Sequence, residues 1–289
     1  MFIPRKILED KLNRMLAEDL GQGDITSTLL VPEDCVAVGE IKANEKGVAA
    51  GIEEAKLLLE SLGLKVEVYV NDGDEVKPKQ VLIRVSGDAR TMLSTERTVL
   101  NVVSRMSGIA TATRKLVEKI RKAGCKAKVA CTRKTAPGLL YFDKKAVSIG
   151  GGDPHRFHLD DMILIKDNHV AIIGSVEKAV QTAKKKASFS KKVEVEVSRV
   201  DDVLTAAKAG ADIVMLDNFS PEQVDEAVRF LKKAGFYGKV LIEASGGITA
   251  ENILDFASKE VDIISLGEIT HSVKALNVSL EVTNVERVR

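Results

Sequence analysis

The second half of the chain carries a repeat that constrains the fold more than any other feature. After Gly124, short apolar runs alternate with stretches of helical spacing, and each unit takes roughly 20 to 30 residues, the scale of a βα repeat. Strands separated by helices pair in parallel, and a series of them closes toward a barrel with the helices outside. The sequence therefore predicts an α/β barrel. The strands are KAKVACT, DMILIKD, KKVEVEV, ADIVMLD, KVLIEAS and VDIISLG, and the helices cover residues 176–186, 200–209, 221–234 and 250–258.

The first half of the chain has a different pattern. Apolar residues recur at helical spacing over residues 7–20, and short runs between residues 35 and 85 indicate half-buried strands with one helix among them. Residues 94–123 predict two helices, because Ser107 and Gly108 interrupt the apolar face between them. This order of elements is typical of an α+β domain and not of a βαβ series.

Basic residues concentrate in one stretch, residues 131–170, which also holds three of the four histidines and a triple glycine. Fixed positive side chains and backbone amides suit phosphate and carboxylate oxygens, so this stretch predicts a site for an anionic ligand. The alternative, a solvated loop with ordinary surface lysines, is disfavoured by the apolar run at residues 162–165. The candidate residues are Arg133, Lys134, His155, Arg156 and Lys166.

The composition argues against several classes of protein. The chain has 289 residues and a formal net charge of +1, which disfavours a dedicated nucleic-acid-binding surface. No apolar run reaches the length of a membrane span, and the N-terminal sequence MFIPRKILEDKLNRML lacks the apolar core of a signal peptide. The three cysteines have no metal-ligand spacing, so we expect reduced thiols in a cytoplasmic protein. Cys131 is expected to be a small buried residue and not a nucleophile.

Charged residues stand at the C-terminal ends of the predicted barrel strands, where the active sites of such barrels lie. Glu194 and Glu196 alternate with valines, so both carboxylates are expected to face the barrel interior and line its mouth. Asp217 ends the next strand. Buried carboxylates need a cation to offset their desolvation, and the basic residues together with Mg²⁺ are expected to supply it.

The last two predicted strands end in small residues, within ASGGIT and SLGEIT. In barrels, the loops after these strands often hold a phosphate on backbone N–H groups at a helix N-terminus, and glycine allows the close approach. A helix is expected directly after the first of the two strands, and a helix directly after the second is left open. We therefore expect a phosphorylated sugar to be held beside a carboxylated partner. The phosphate-binding residues are Ser245, Gly246, Gly247 and Gly267.

Together these motifs resemble those of the quinolinate phosphoribosyltransferase family, in order and over nearly the whole chain. The matching segments are EDLGQGDITS, ERTVLNVVSRMSGIAT, TRKTAPG, GGGDPHRFHLDD, LIKDNH, VEVEV, MLDNFSPE, EASGGIT and SLGEIT. The resemblance implies an α/β fold with an N-terminal α/β sandwich domain over residues 1–106 and an open, irregular, TIM-like α/β barrel domain over residues 107–269. Residues 270–289 are expected to pack with the first domain. The resemblance also implies a homodimer, or dimers assembled further, in which the partner subunit completes each site.

The resemblance implies roles for individual basic residues. Arg133, His155 and Arg156 match residues that bind the two carboxylates of quinolinate. Lys134 and Lys166 match lysines that lie between quinolinate and phosphoribosyl pyrophosphate. Because each carboxylate needs its own cation, the number of arginines and histidines favours a dicarboxylate over a monocarboxylate.

Further roles follow from the same resemblance. Glu196 and Asp217 match acidic residues that contact the ribose hydroxyls and the metal, Mg²⁺. Arg97 matches an arginine that reaches into the neighbouring subunit's site, whereas its spacing alone indicates a surface salt bridge, as it does for Glu96 and Arg105. The residues that match the 5′-phosphate site are Ser245, Gly246, Gly247 and Gly267.

One stretch departs from the family pattern. After TRKTAPG the family commonly has an arginine and then a Leu-Glu-Lys-Tyr run, whereas this chain has LLYFDKKAV, which we expect to form an altered loop over residues 139–145. The departure leaves open a related phosphoribosyltransferase that acts on a monocarboxylate such as nicotinate, or a protein like the molybdenum-transport protein ModD. A non-catalytic barrel that binds a phosphorylated ligand is a third alternative.

The reaction that the resemblance implies is phosphoribosyl transfer to quinolinate with loss of CO₂. It gives nicotinate mononucleotide and pyrophosphate in de novo NAD biosynthesis. Both substrates are anionic, so the basic residues must neutralise them before they can meet. Lys134, Lys166, Glu196 and Asp217 are the expected catalytic residues, and we expect them to act through positioning and electrostatics and not as nucleophiles.

Overall fold

The computed structural model describes residues 3–287, and the chain divides into two compact units. The first unit is formed by Met1–Ala112, Tyr141–Gly150 and Val273–Arg289, and the second by Thr113–Leu140 and Gly151–Ser272. The chain therefore returns to its first unit twice. The outermost parts of the predicted domain ranges, residues 1–2 and 288–289, lie outside the described residues.

The described residues form twelve strands and eleven helices. The strands are β1 (Cys35–Ala43), β2 (Gly47–Val48), β3 (Lys65–Val68), β4 (Glu75–Val76), β5 (Val81–Asp88), β6 (Lys128–Cys131), β7 (Ile163–Ile165), β8 (Val193–Val197), β9 (Ile213–Asp217), β10 (Leu241–Ser245), β11 (Ile263–Leu266) and β12 (Val278–Arg287). The helices are α1 (Arg5–Leu20), α2 (Ile25–Leu30), α3 (Ile52–Ser61), α4 (Ala89–Lys122), α5 (Leu140–Gly150), α6 (Asp167–Ile173), α7 (Val176–Lys186), α8 (Val200–Lys208), α9 (Pro221–Lys233), α10 (Ile253–Ala257) and α11 (Glu268–His271).

An antiparallel sheet is the base of the first unit. Its strand order is β12-β1-β5-β3, and the short strands β2 and β4 pair separately. Along β1, fully buried residues alternate with partly buried ones, which confirms the half-buried strand predicted from the sequence. Ile41 on β1, Ile83 on β5 and Leu58 on α3 are fully buried, and α3 contacts both β3 and β5. The apolar core of this unit therefore lies between the sheet and its helices.

The predicted break between two helices at Ser107 and Gly108 is wrong, because α4 continues through both residues. The Ser107 hydroxyl donates to the carbonyl of Ala50 at 3.1 Å, and it accepts the N–H of Ala50 at 2.9 Å. A side chain at Gly108 would place its Cβ 3.0 Å from the Cα of Ala275. These small residues allow neighbouring backbone to approach the helix closely, and they do not end it.

The altered loop predicted over residues 139–145 is also wrong, because α5 begins at Leu140. The apolar pattern does not reveal this helix, because three of its seven buried residues are charged. Asp143 is fully buried and receives two hydrogen bonds from Arg105, at 2.7 and 2.8 Å. The surface salt bridge predicted for Arg105 is therefore a bidentate pair with a buried carboxylate, the stronger kind of ion pair.

A second charged cluster in the first unit surrounds Lys145, which is almost fully buried. Its Nζ lies 2.7 Å from Oε1 of Glu54, 2.5 Å from Oε2 of Glu53 and 3.8 Å from Oδ2 of Asp72. Burial lowers the pKa of Lys145, but the charge of Glu54 and the hydrogen bonds that Lys145 donates to both glutamates raise it above its ordinary value. Burial raises the pKa of Glu54. The departure from the family pattern thus serves packing in the first unit.

Six parallel strands form the sheet of the second unit, in the order β6-β11-β10-β9-β8-β7. All the strands predicted from the repeat are confirmed. Within the described residues β6 and β7 end this order without pairing with each other, so the barrel is open between them. Asp153 pairs alongside β6, because its N–H donates to the carbonyl of Val129 at 2.7 Å and its carbonyl accepts the N–H of Cys131 at 3.1 Å.

The helices of the second unit begin at recognisable sequence signals. Ser175 caps α7 by accepting the N–H of Lys178 at 3.2 Å. Ser220 and Gln223 form a capping box at the start of α9, and Pro221 occupies its first turn. Each of these helices buries one apolar face, as α9 does with Leu231. No helix within residues 3–287 combines the length and the hydropathy that crossing a bilayer requires.

Candidate active site

A cavity of about 860 Å³ lies at the C-terminal ends of the barrel strands. Parallel strands bring these ends to one face of the sheet, which explains why residues far apart in the sequence meet there. All the residues predicted for the site except Arg97 and Glu194 line the cavity: Arg133, Lys134, His155, Arg156, Lys166, Glu196, Asp217, Ser245, Gly246, Gly247 and Gly267. Arg97 is exposed on α4 in the first unit, so its role toward a neighbouring subunit stays a prediction.

Four cations line one part of the cavity. Arg133 and Lys134 follow β6, and Lys166 follows β7. Thr270 fixes the first of these loops, since its hydroxyl donates to the carbonyl of Lys134 at 2.8 Å. Burial lowers the pKa of Arg156, and the nearby charge of Arg133 lowers it further. The guanidinium groups of Arg133 and Arg156 repel each other, and a ligand with two negative charges would neutralise both.

Two carboxylates, those of Glu196 and Asp217, line the same cavity. Oε2 of Glu196 is 2.8 Å from Nζ of Lys166, so a cation and an anion of the site are directly paired. Burial raises the pKa of Asp217, and the charge of Glu196 raises it further. The side chain of Asn218 donates to Oδ2 of Asp217 at 2.8 Å and holds it in place. When ionised, these carboxylates can stabilise a cation that develops in the cavity.

The loop after β10 has the close approach expected of a phosphate-binding loop. Gly246 has a φ of 89°, and a Cβ there would lie 2.7 Å from the backbone nitrogen of Asn218. Gly247 has a φ of 62°, and its Cβ would meet open space. Ser245 joins this loop to β11, because its hydroxyl accepts a hydrogen bond from Ser265 at 2.9 Å. Only glycine fits at Gly246 without a shift of the neighbouring backbone.

The helix expected directly after this loop, over residues 250–258, begins later and is shorter than predicted, since α10 covers only Ile253–Ala257. Instead α11 follows directly after Gly267, and a Cβ on Gly267 would lie 3.0 Å from Cδ of Lys134. The side chain of Asn252 accepts the N–H of Thr249 at 2.8 Å and donates to the carbonyl of Gly247. These two hydrogen bonds hold the segment between the loop and α10, where the sequence predicts the first turn of a longer helix.

Glu194 lies deeper than the sequence predicts. Both Glu194 and Glu196 face inward, but only Glu196 lines the cavity, because two residues along a strand span about 6.6 Å. The side chain of Glu194 is 0% exposed and belongs to an interior cluster with Glu243 and His155. Burial raises the pKa of Glu194 to about 8, and the charge of Glu243 contributes. The prediction that both carboxylates line the mouth is therefore wrong for Glu194.

Three further residues of the cavity had no role assigned from the sequence. Asn218 holds Asp217, Glu243 reaches His155, and His271 follows the last strand. Their positions at the ends of β9, β10 and β11 indicate that they lie near the site. Position along a strand does not show which polar side chains contact each other. Cys131 is fully buried beside Pro154, which confirms its prediction as a small buried residue.

A second cavity, of about 930 Å³, lies at the N-terminal ends of the same strands. It is lined by the residues with which strands begin, among them Lys128, Ile213 and Leu241, and it shares His155 and Arg156 with the first cavity. Although it is the larger of the two, it has neither the glycine loop nor the paired carboxylate and lysine. The chemistry of the lining residues, and not the volume, identifies the C-terminal cavity as the candidate active site.

Comparison with families of known proteins agrees with the geometry. Residues 24–107 match the N-terminal domain of quinolinate phosphoribosyl transferase, and residues 109–281 match its C-terminal domain. The chain belongs to the quinolinate phosphoribosyltransferase family. The two matches together cover most of the chain, and the second one includes every residue that lines the candidate active site.

Individual members of the family resemble the chain over nearly its whole length. A protein of Methanocaldococcus jannaschii named "Probable nicotinate-nucleotide pyrophosphorylase [carboxylating]" is 46% identical over 279 residues, which is 95% of this chain and 97% of that protein. A protein of the same name from Archaeoglobus fulgidus is 49% identical over 260 residues, 90% of this chain and 98% of that protein. Among solved structures, the nicotinate-nucleotide pyrophosphorylase of Francisella tularensis matches with a TM-score of 0.89 at 39% identity, covering 98% of each chain.

Proposed function

We propose that the chain transfers the phosphoribosyl group of phosphoribosyl pyrophosphate to quinolinate, with release of pyrophosphate and CO₂, and so forms nicotinate mononucleotide for de novo NAD biosynthesis. The observation that carries this proposal is that one cavity is lined both by the guanidinium groups of Arg133 and Arg156 and by the carboxylates of Glu196 and Asp217. Membership of the quinolinate phosphoribosyltransferase family supports the same reaction.

The cationic part of the cavity accounts for the choice of the acceptor. Quinolinate carries two carboxylates, and Arg133 and Arg156 offer two planar guanidinium groups that bind carboxylates in a bidentate manner. His155 lies beside them. Lys134 and Lys166 lie on the loops after β6 and β7, and they neutralise the charge of both substrates where these approach each other. The residues thereby remove the repulsion that keeps two anions apart in water.

The donor occupies the remainder of the cavity in this proposal. Gly246, Gly247 and Gly267 bring backbone close to the 5′-phosphate, and the Ser245 hydroxyl lies beside them. Glu196 and Asp217 contact the ribose hydroxyls. These two carboxylates are also the groups that fit Mg²⁺, since oxygen is its preferred ligand, and burial and the charge of Glu196 raise the pKa of Asp217, which a bound cation would offset. Mg²⁺ bound there would neutralise charge on the departing pyrophosphate.

The chemistry needs positioning more than a reactive side chain. The pyridine nitrogen of quinolinate attacks the anomeric carbon as the bond to pyrophosphate breaks, and positive charge develops on the ribose. Glu196 and Asp217 stabilise that charge. The carboxylate next to the newly quaternary nitrogen then leaves as CO₂. The bonding electron pair stays on the ring carbon, where the adjacent positive nitrogen stabilises it, and that carbon takes up a proton from water. Holding both substrates in reacting geometry supplies much of the acceleration.

The proposal extends to assembly and compartment. Arg97 is exposed on α4, and we place it in the site of a second copy of the chain, so that a homodimer is the active form. Cys35, Cys125 and Cys131 are free thiols, which suits the reducing cytoplasm.

The test is a single assay with the purified protein, quinolinate, phosphoribosyl pyrophosphate and Mg²⁺. We expect nicotinate mononucleotide and CO₂ in equal amounts. Formation of the nucleotide from nicotinate without CO₂, and not from quinolinate, would assign the chain to the monocarboxylate-specific alternative. Binding of both substrates by calorimetry without turnover would instead indicate a non-catalytic barrel and would refute the proposed reaction.

A further inference from the structure

An interior cluster of three side chains reaches the wall of the cavity, and two of its members, Glu194 and Glu243, have no part in the reaction as described. Nε2 of His155 is 3.1 Å from Oε2 of Glu243 and 3.5 Å from Oε2 of Glu194. The His155 side chain is 11% exposed, and both glutamate side chains are 0% exposed. The cluster therefore joins β8 and β10 to the segment that carries Arg156.

Hydrogen bonds assign the protonation of the His155 ring. Nδ1 accepts the backbone N–H of Arg156 at 2.8 Å, so Nδ1 carries no proton. The proton of the neutral ring is then on Nε2, which donates it to Glu243. Both ring nitrogens are engaged with groups of this chain. The direct contact with quinolinate expected for His155 would therefore require one of these bonds to break.

The backbone of His155 is itself in an unfavourable conformation. Its φ is 53°, in the left-handed region that residues other than glycine seldom occupy. The N–H of His155 donates to Oδ1 of Asp153 at 2.8 Å, which helps to hold this conformation. Strain of this kind persists only where the surroundings enforce it, and it concentrates at functional sites. The ring and the backbone of His155 together fix the peptide from which the Arg156 side chain departs.

The glutamates of the cluster cost the fold free energy. Within residues 3–287, both oxygens of Glu194 and Oε1 of Glu243 are buried without a hydrogen-bond partner. A buried carboxylate that is not fully hydrogen-bonded is unfavourable, and an apolar residue of similar volume is often better for stability. Their presence is therefore not explained by stability.

We propose that Glu243 is a positioning residue, which holds the ring of His155 so that the ring fixes the Arg156 peptide and directs its guanidinium group toward the carboxylate of the ligand. Glu194 supports the same ring from 3.5 Å. This inference rests on the proposed function, and it assigns His155 an indirect role in place of a direct contact with the substrate.

A metal site is the competing interpretation of the same cluster. The ligand atoms of His155, Glu194 and Glu243 lie within 4.8 Å of one another. A metal on Nε2 requires that this nitrogen be unprotonated, and the other nitrogen then normally donates its proton to a neighbour. Here Nδ1 accepts a hydrogen bond instead. The geometry therefore favours a hydrogen-bonded cluster over a metal centre.

Three variants test the proposal in steady-state kinetics with each substrate varied in turn. Glu243→Leu removes the acceptor for His155, and His155→Asn keeps a residue that tolerates the left-handed backbone but is too short to reach Glu243. For both, we expect the KM for quinolinate to rise about tenfold or more, as for the loss of a hydrogen bond involving a charged group, with kcat and the KM for phosphoribosyl pyrophosphate nearly unchanged. Glu243→Gln keeps an acceptor oxygen and should restore a KM near that of the wild type.

Thermal unfolding separates positioning from a structural role. Because Glu243→Leu removes a partly unpaired carboxylate, its melting temperature should equal or exceed that of the wild type while its KM rises. The matched control is Glu54→Gln, which changes a buried glutamate of the first unit and should lower the melting temperature without changing either KM.

Four results would overturn the inference. An unchanged KM for quinolinate in Glu243→Leu, with an active wild type, would remove Glu243 from positioning and leave the proposed function intact. A fall in kcat at constant KM in His155→Asn would place His155 in the chemistry. One equivalent of tightly bound zinc or manganese in the purified protein, lost in Glu243→Gln, would establish a metal site. A wild type that does not use quinolinate at all would refute the proposed function itself, and the inference with it.

Discussion

Replacement of Gly246 by alanine should damage both the stability of the chain and its use of phosphoribosyl pyrophosphate. The φ of this residue is 89°, and the left-handed region costs an L-residue with a Cβ about 1–2 kcal/mol. The new Cβ would also lie 2.7 Å from the backbone nitrogen of Asn218, and overpacking of this kind costs about 1–3 kcal/mol. We therefore expect Gly246→Ala to lower the free energy of unfolding by about 2–5 kcal/mol.

Gly247→Ala is the matched control for this change, because Gly247 has a φ of 62° but no atom within 4 Å of its Cβ position. It should lose only the conformational part, about 1–2 kcal/mol. Urea unfolding of the two variants beside the wild type measures the difference, which isolates the clash with Asn218. In kinetics, Gly246→Ala should raise the KM for phosphoribosyl pyrophosphate, since relief of the clash displaces the loop. Equal losses of stability in the two variants would refute the argument that close approach requires glycine at Gly246.

Three further predictions follow from the site and its surroundings. Lys134→Ala should reduce turnover by orders of magnitude with an unchanged circular dichroism spectrum, and activity like that of the wild type would remove Lys134 from the mechanism. Burial raises the pKa of Glu194 from 4.5 to about 8, so the folded state holds a proton that the unfolded state releases. The stability that this group contributes is complete below pH 4.5 and is lost as the pH rises through about 8. In Glu194→Gln, the free energy of unfolding in urea should therefore fall less between pH 4.5 and about 8 than in the wild type. An equal fall in both proteins would contradict the raised pKa of Glu194. Arg105→Ala leaves the buried Asp143 unpaired and should cost about 3–5 kcal/mol of unfolding free energy, whereas Arg84→Ala, at a more exposed pair, should cost far less. Similar losses in the two variants would contradict the difference in burial.

The sequence predicts the barrel well because its signals are local and repeated. Each strand of the second unit is a short apolar run, and the strand ends carry residues such as Lys166 and Asp217 that have no place in a core. Parallel pairing then brings these ends together without any further information. This is why nearly the whole candidate site follows from strand ends, although the partners of each side chain do not.

The wrong predictions share a physical cause, which is that contacts distant in sequence override local pattern. Gly108 is a helix breaker by propensity, but the backbone near Ala275 packs against it and the helix continues. The residues of α5 have charges where a buried helix should be apolar, and ion pairs such as those with Arg105 and Glu54 offset the cost of burying these charges. The depth of Glu194 likewise depends on its position along β8, which alternation alone does not give.

The open side of the barrel has a consequence for solubility. A free strand edge offers unpaired backbone groups to any other chain, and natural proteins cover such edges. Here Asp153 pairs with the edge of β6 through its N–H to Val129 and its carbonyl to Cys131, two residues before the histidine that orients Arg156. One segment therefore both shields the edge and presents a binding residue. Mutations that loosen it should lead to aggregation together with loss of affinity, so selection against aggregation would protect the binding site as well.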